Sequence, residues 1–338
     1  METEAAAFCD KSYEILEYIT CSQVNRYCYS NMGGTFMKSK TFRNMAAHWQ
    51  LYLMVLPALI YLILFSYKPM YGLIIAFKDY SFKAGIWGSR WVGFDNFRRL
   101  FESYWFPLIL KNTLSISFLT LLFGFPLPIL FALMVNEIKG RRTRQILQTV
   151  SYAPHFISVI VMCGLVILLL NPDGGIINLL LGFFGMDPVY FMQKPEMFQW
   201  IYVISGIWQE TGWNAIIYIA ALSGVDKALV EAAEIDGASR FRKMVHIYFP
   251  ALVPTIVILL ILQCGSVMSV GYEKAYALQN SANIQGSEVI STYVYKMGLA
   301  NQDFSFATAV GLLNSVVNSA VLIAVNSVAK KVNEVSLW

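Results

Sequence analysis

The chain has 338 residues, of which 57% are hydrophobic and only 14% charged, with a net charge of +4. A soluble domain carries about 25% charged residues, so this chain has too little charge to be wetted on every face. Disorder is excluded by the hydrophobicity, a soluble enzyme is disfavoured, and the small net charge gives no footing for nucleic acid.

Residues 1–48 are mixed and polar, with no apolar run able to cross a bilayer. Glu2, Glu4 and the lack of an apolar core argue against a cleavable signal peptide. Met37 opens Met-Lys-Ser-Lys, an alternative start, so residues 1–36 are expected to be dispensable or mis-assigned to the protein. Five cysteines, Cys9, Cys21, Cys28, Cys163 and Cys264, fit neither a metal site nor a disulfide framework. Cys163 and Cys264 lie in apolar runs and read as small core residues.

Crossing a bilayer takes about 20 mainly apolar residues. Six stretches qualify, Leu51–Tyr67, Thr113–Val135, Val150–Leu170, Phe198–Leu222, Pro250–Val270 and Phe304–Val328. None alternates polar with apolar residues, so each reads as a helix, and the fold class is an all-α membrane protein with six transmembrane helices. Pro57, Pro126, Pro128, Pro154 and Pro254 fall inside these spans, where bundle neighbours can satisfy the freed carbonyls. With six spans both ends share a side, and that side holds fifteen of the 25 Lys and Arg residues. Lys139, Arg141, Arg142 and Arg144 crowd one tight loop, and Arg240, Arg242 and Lys243 crowd another. Both ends are therefore expected in the cytoplasm. Between spans, loop 68–112 is long and aromatic. Loop 171–197 opens on the turn Asn171-Pro172-Asp173-Gly174-Gly175 and continues into a Leu-rich piece that suits a short helix.

No Gly-Lys dipeptide, G-x-G-x-x-G or G-x-S-x-G occurs, and His48, His155 and His246 are far apart. No catalytic or metal-binding residue is expected, no cofactor is assigned to this chain, and any use of ATP requires another chain. Glu210 is the clear acid inside a span. It sits in Gly206-Ile-Trp-Gln-Glu-Thr-Gly-Trp-Asn214, a polar and aromatic segment. Rings flanked by amides and acids suit sugars, whose C–H faces pack on aromatic planes while hydroxyls take hydrogen bonds. Three readings stay open for Glu210: lining of a cavity, a hydrogen bond within the bundle, or a proton relay. The tryptophans also suit interface anchoring. Gln263, Ser266, Asn314, Ser315 and Asn318 add polar atoms in the last two spans, where small polar residues also join helices.

The loop over 223–249 is the most informative stretch. Asp226 is a good N-cap, Gly237 suits a left-handed helix end, and Ser239 suits a second cap. Two short helices with small residues at the bend can lie in a groove on another protein, or be held by their own bundle. Here the chain resembles the permease subunits of binding-protein-dependent type I ABC importers. Their signature is Glu-Ala-Ala, three residues, Gly, nine residues, Ile, one residue, Leu-Pro. It is matched at Glu231, Ala232, Ala233, Gly237, Ile247 and Pro250, with Phe249 in place of Leu. The resemblance runs from about Trp49 to the C-terminus and is best with the carbohydrate-uptake class, in its oligosaccharide and polysaccharide branch. It rests on Leu56-Pro57, Tyr67–Gly72, Ala76–Asp79, Trp91–Phe94, Asn112-Thr113, Asn136-Glu137, Pro154–Ser158 and Tyr218–Leu222.

The resemblance implies a MetI-like permease domain over 49–338 behind a cytoplasmic tail over 1–48, in a bacterial plasma membrane. It implies a second homologous permease, two cytoplasmic ATPases that hold ATP-Mg, and an extracellular solute-binding lipoprotein. Glu231, Ala232, Ala233, Asp236 and Gly237 would form the coupling helix that docks into the ATPase. By analogy with maltose-type permeases, Gln209, Glu210, Trp213 and Gln263 would contact cargo. An ion-coupled carrier would need more intramembrane acids or inverted repeats. A membrane-embedded enzyme would need a nucleophile, metal or acid pair, and none is apparent. Glycerol-phosphate is an alternative cargo within the family. An anion favours a basic pathway, and the only intramembrane charge legible in the sequence is acidic.

Overall fold

The computed structural model describes residues 48–333 and 336–337. The expectations for the tail, including Cys9, Cys21, Cys28 and the start at Met37, lie outside the described residues. The chain divides into two compact units, 1–69 and 70–338. In the first, helix α1 (Trp49–Leu62) continues into a π-helical turn, Ile63–Tyr67, and no residue of either is buried. A helix apolar on every face and exposed on every face is built for lipid or for another apolar surface.

The second unit opens with a 3₁₀ segment, Tyr71–Phe77, and a two-stranded antiparallel hairpin. Strand β1 (Lys78–Asp79) pairs with β2 (Arg90–Trp91), Lys78 opposite Trp91. Helix α2 (Asp95–Glu102) locks this hairpin through buried Asn96, whose amide donates to the carbonyls of Ala76 and Lys78. Helices α3 (Trp105–Leu119) and α4 (Pro126–Asn136) join through a π-helical turn into one span, Trp105–Asn136. Next come α5 (Arg141–Tyr152), α6 (Val159–Leu169), the Leu-rich α7 (Ile176–Phe183) and the long α8 (Pro195–Leu222). Short helices α9 (Lys227–Ile235) and α10 (Arg240–Lys243) lead into α11 (Phe249–Cys264). The chain ends with α12 (Tyr272–Leu278), α13 (Ile290–Tyr295) and α14 (Phe304–Asn333).

Prolines accompany three of the places where these helices loosen, although a fourth π-helical turn, Lys296–Ala300, has none and Pro57 and Pro254 sit inside regular α-helix. A helical proline frees the carbonyl four residues earlier and crowds it. Three π-helical turns, Ile63–Tyr67, Thr120–Gly124 and Met244–Tyr248, stand just before Pro69, Pro126 and Pro250. The wider turn accommodates the ring without ending the span.

Helix α8 runs through the centre and packs on α3, α4, α5 and α11. One core cluster joins Ile129, Ala132 and Leu133 of α4 to Ala215, Tyr218 and Leu222 of α8 and Leu252 of α11. A second surrounds Phe198, Met162 and Cys163, which is a buried free thiol as its apolar setting suggested. At Gly212 the backbones nearly touch, since a Cβ there would lie 2.1 Å from the Ser151 carbonyl oxygen of α5.

Two expected spans differ in the structure. Val150–Leu170 is not a straight helix; the chain bends by 99° between Arg141–Phe156 and Val159–Leu169. Pro154 cannot continue the hydrogen-bond ladder, and Ser158 starts the new helix by accepting from the Val161 N–H. Pro250–Val270 ends at Cys264, where Gly265 lies against Leu322 of α14. Among the described residues four helices are long and apolar enough to cross a membrane, or five if the bent pair counts as one. Helix α8 has 28 residues, about 42 Å at helical rise. That exceeds a bilayer core of about 30 Å, but its polar face keeps it outside the apolar set.

Candidate functional site

Helical periodicity builds the cavity wall. On α8, Tyr202, Gly206, Gln209, Glu210 and Asn214 recur at three- to four-residue spacing, so they share one face. That face lines a cavity of about 540 Å³, closed by Gly124 and Pro128 near the kink before α4, Val159 of α6, and Leu259 and Gln263 of α11. The size falls within the range of small-ligand sites. Three of the expected pathway residues, Gln209, Glu210 and Gln263, therefore come together.

Their side chains are not equally available. Gln209 is 5% exposed, and its amide donates to the Ile157 carbonyl at 3.0 Å, tying α8 to the bend before α6. Glu210 lines the cavity and also pairs with His155 Nδ1 at 2.9 Å, a contact within the bundle. Trp213 is not part of the lining. Its ring stacks on the His155 ring at 4.3 Å and 5°, with Phe156 edge-on at 5.6 Å. Trp213 thus positions the histidine that holds Glu210. Asn318 in α14 is also engaged, accepting from the Met268 N–H and donating to Ser269.

The cavity has a second charged residue, Lys274 of α12, which corrects the expectation of a solely acidic pathway. In the sequence it reads as a loop cation ten residues past Cys264. Folding tucks α12 inward, so that Lys274 is 9% exposed, donates to the Tyr202 carbonyl at 2.6 Å and lies 4.4 Å from the Tyr202 ring. No local sequence signal marks it, because its burial depends on a helix 72 residues earlier.

The loop after α8 forms a second candidate site. Asp226 Oδ1 accepts from the Ala228 N–H at 2.9 Å, and Ser239 Oγ accepts from the Arg242 N–H at 3.3 Å. Both expected caps are present. Gly237 has φ +74°, and Ala238 N–H reaches back to the Ala233 carbonyl while Gly237 N–H reaches Glu234. This paired closure ends α9 and turns the chain sharply. Glu231, Ala232, Asp236 and Gly237 are exposed and Ala233 is half-buried. Leu229, Ile235 and Phe241 beside them are 58%, 86% and 74% exposed. Large exposed apolar side chains on both short helices, α9 and α10, thus surround the small-residue bend.

The anchor of this loop was not legible beforehand. Lys243 is buried, with its ammonium 2.6 Å from Glu234 and 3.9 Å from Glu137 at the end of α4. The hydrogen bond from Lys243, then its charge, holds the Glu234 carboxyl below its ordinary range. The same bond holds the Lys243 ammonium above its own, against the opposing cost of burial. The loop is thereby tied to α4, which packs on the cavity helix α8.

Residues 124–334 match the family described as binding-protein-dependent transport system inner membrane component. The chain belongs to that family. The permease is 45% identical over 288 residues to the polygalacturonan/rhamnogalacturonan transport system permease protein YteP of Bacillus subtilis, covering 85% of this chain and 90% of that protein. It is 41% identical over 288 residues to Protein LplB of the same organism, covering 85% and 91%. A solved bacterial alginate ABC transporter, in complex with an alginate pentasaccharide-bound periplasmic protein, superposes with a TM-score of 0.81. That match has 40% identity and covers 88% of the permease and 100% of the matched chain.

Proposed function

We propose that this permease carries an oligosaccharide through a bacterial plasma membrane as one subunit of an ATP-driven importer. The observation that carries the reading is the polar face of α8, which walls a 540 Å³ cavity inside a fold shared with permeases named for polysaccharide transport. Six helices cross the membrane, with the bent α5–α6 pair and the polar α8 counted as spans, and both ends lie in the cytoplasm. Residues 49–338 form the transport domain.

The second half of the proposal concerns force. Glu231, Ala232, Ala233, Asp236 and Gly237 dock on an ATPase that holds ATP-Mg on a separate chain. A second homologous permease completes the pathway, two ATPases drive it, and an extracellular binding protein delivers cargo. Closure of the ATPases pulls α9, Lys243 passes the pull to α4, and α4 moves against α8. Gln209, Glu210, Asn214 and Gln263 supply donors and acceptors to hydroxyls, while Trp213 positions His155.

The test is reconstitution of the complete complex in liposomes with labelled oligosaccharides inside the binding protein. ATP-dependent accumulation of a saccharide is expected. Absence of accumulation across neutral and acidic saccharides, with ATP hydrolysis intact, overturns the cargo reading.

A further inference from the structure

We propose that helix α7 (Ile176–Phe183) is a membrane anchor that lies in the plane of the bilayer, its outward face sunk into lipid at the boundary where α6 ends. The inference goes beyond the transport reading and depends on neither the cargo nor the ATPase.

The face follows from the helical repeat. Ile176, Leu179, Leu180 and Phe183 recur at three- and four-residue spacing, so they form one stripe about 100° wide. All four are exposed, Leu179 by 62% and Phe183 by 86%, and Phe184 extends the stripe past the helix end. Asn178 sits on the opposite side and is buried. The apolar stripe therefore points away from the bundle while the polar residue points into it, the reverse of a helix that faces water.

Lipid tolerates such a face when backbone polar groups are satisfied from within. Asn178 does this at one end of the loop. Its Nδ2 donates to the carbonyls of Leu170, Asn171 and Val189, and its Oδ1 accepts from the Val189 N–H at 2.8 Å. At the other end Gly185, with φ +74°, brings its own N–H to the Gly182 carbonyl and the Met186 N–H to Leu181. No charge occurs from 174 to 186, and Asp173 and Asp187 bracket the run. A helix of eight residues rises only about 12 Å, against a bilayer core of about 30 Å. It is too short to cross and can lie only along the boundary.

Continuity with α6 names the occupant. Helix α6 belongs to the bent apolar pair, exposes Leu165 and Leu168, and ends at Leu169, just before the turn that opens α7. Lipid against α6 therefore reaches α7 without a break. A protein partner fits the stripe less well. Protein interfaces draw on Tyr, Trp and Arg and on hydrogen bonds across the contact, and this stripe offers no polar side chain.

The experiment places a nitroxide label at Phe183→Cys in the complete complex, reconstituted in liposomes. The five native cysteines are replaced, and a label at Asp173→Cys is the aqueous reference. The label at 183 should collide with oxygen in preference to a water-soluble nickel complex, reporting a depth of about 5–10 Å below the headgroup boundary. Access of the nickel complex to 183 equal to that at 173 places the stripe in water and overturns the inference. Protection of 183 from both reagents means that protein covers it, and overturns the inference equally. The wild-type complex supplies a second measurement that needs no variant. A photoactivated diazirine lipid in the same liposomes should label the peptide 174–186, with or without the binding protein. Labelling of α14 with none on 174–186 overturns the inference.

Discussion

Gly237 is the place where one backbone angle should decide coupling. Its φ of +74° is a left-handed conformation, and a Cβ built there meets nothing within 4 Å. Substitution therefore carries a conformational cost with no steric clash added. For Gly237→Ala that cost is about 1–2 kcal/mol, or roughly five- to thirtyfold in the balance between the turned and opened loop. Asparagine tolerates the left-handed region, so Gly237→Asn should sit near wild type. Gly237→Pro is the extreme case. It forces φ to about −65° and removes the N–H that closes onto Glu234. Because Gly237 is exposed at the end of a nine-residue helix, the bundle itself should survive. The assay is ATP hydrolysis stimulated by loaded binding protein in the reconstituted complex, with detergent thermal melting as a fold control. The order should run Gly, Asn, Ala, Pro, with Pro abolishing stimulated hydrolysis and transport at an unchanged melting midpoint. Full transport by Gly237→Pro would refute the assignment of this turn to coupling.

Other outcomes follow from specific contacts. Trp213→Ala should lower uptake several-fold by releasing His155 from its stack, and Trp213→Phe should recover much of it; equal uptake in both variants and wild type removes the positioning role. Gly212→Ala drives a Cβ to 2.1 Å from the Ser151 oxygen, so at least about 1–3 kcal/mol of overpacking should appear as a lowered melting midpoint. Lys243→Met should free the loop from α4, read as faster proteolysis between α9 and α10 with ATP binding to the partner unaffected. The Glu234–Lys243 pair also fixes a pH window. The depressed carboxyl contributes above its ordinary value of about 4.3 and loses that contribution as pH falls through its folded value; the raised ammonium contributes below about 10.4 and loses it as pH rises through its own. Loop protection should therefore stay flat between roughly pH 5 and 9, and a break near neutrality would contradict the pairing.

Much of this protein is local chemistry and can be read residue by residue. Charge scarcity marked a membrane protein. Asp226, Gly237 and Ser239 announced the caps and the turn that the loop adopts, because a cap needs only an oxygen and a free N–H a few residues away. The apolar runs pointed to most of the long helices, and the polar segment 206–214 pointed to Gln209 and Glu210, while the full cavity face, with Tyr202 and Asn214 on it, came from the fold. What the sequence could not carry depends on contacts far along the chain. The bend at Pro154 was hidden in an apolar run, since its angle is settled by what α5 and α6 pack on. Lys243 read as a topology anchor until packing set it between Glu234 and Glu137. Lys274 read as a loop cation until α12 folded in beside Tyr202. Composition determined that this chain seeks lipid; tertiary packing alone decided which of its few charges would be carried inside, because burial is a property of neighbours and not of the residue.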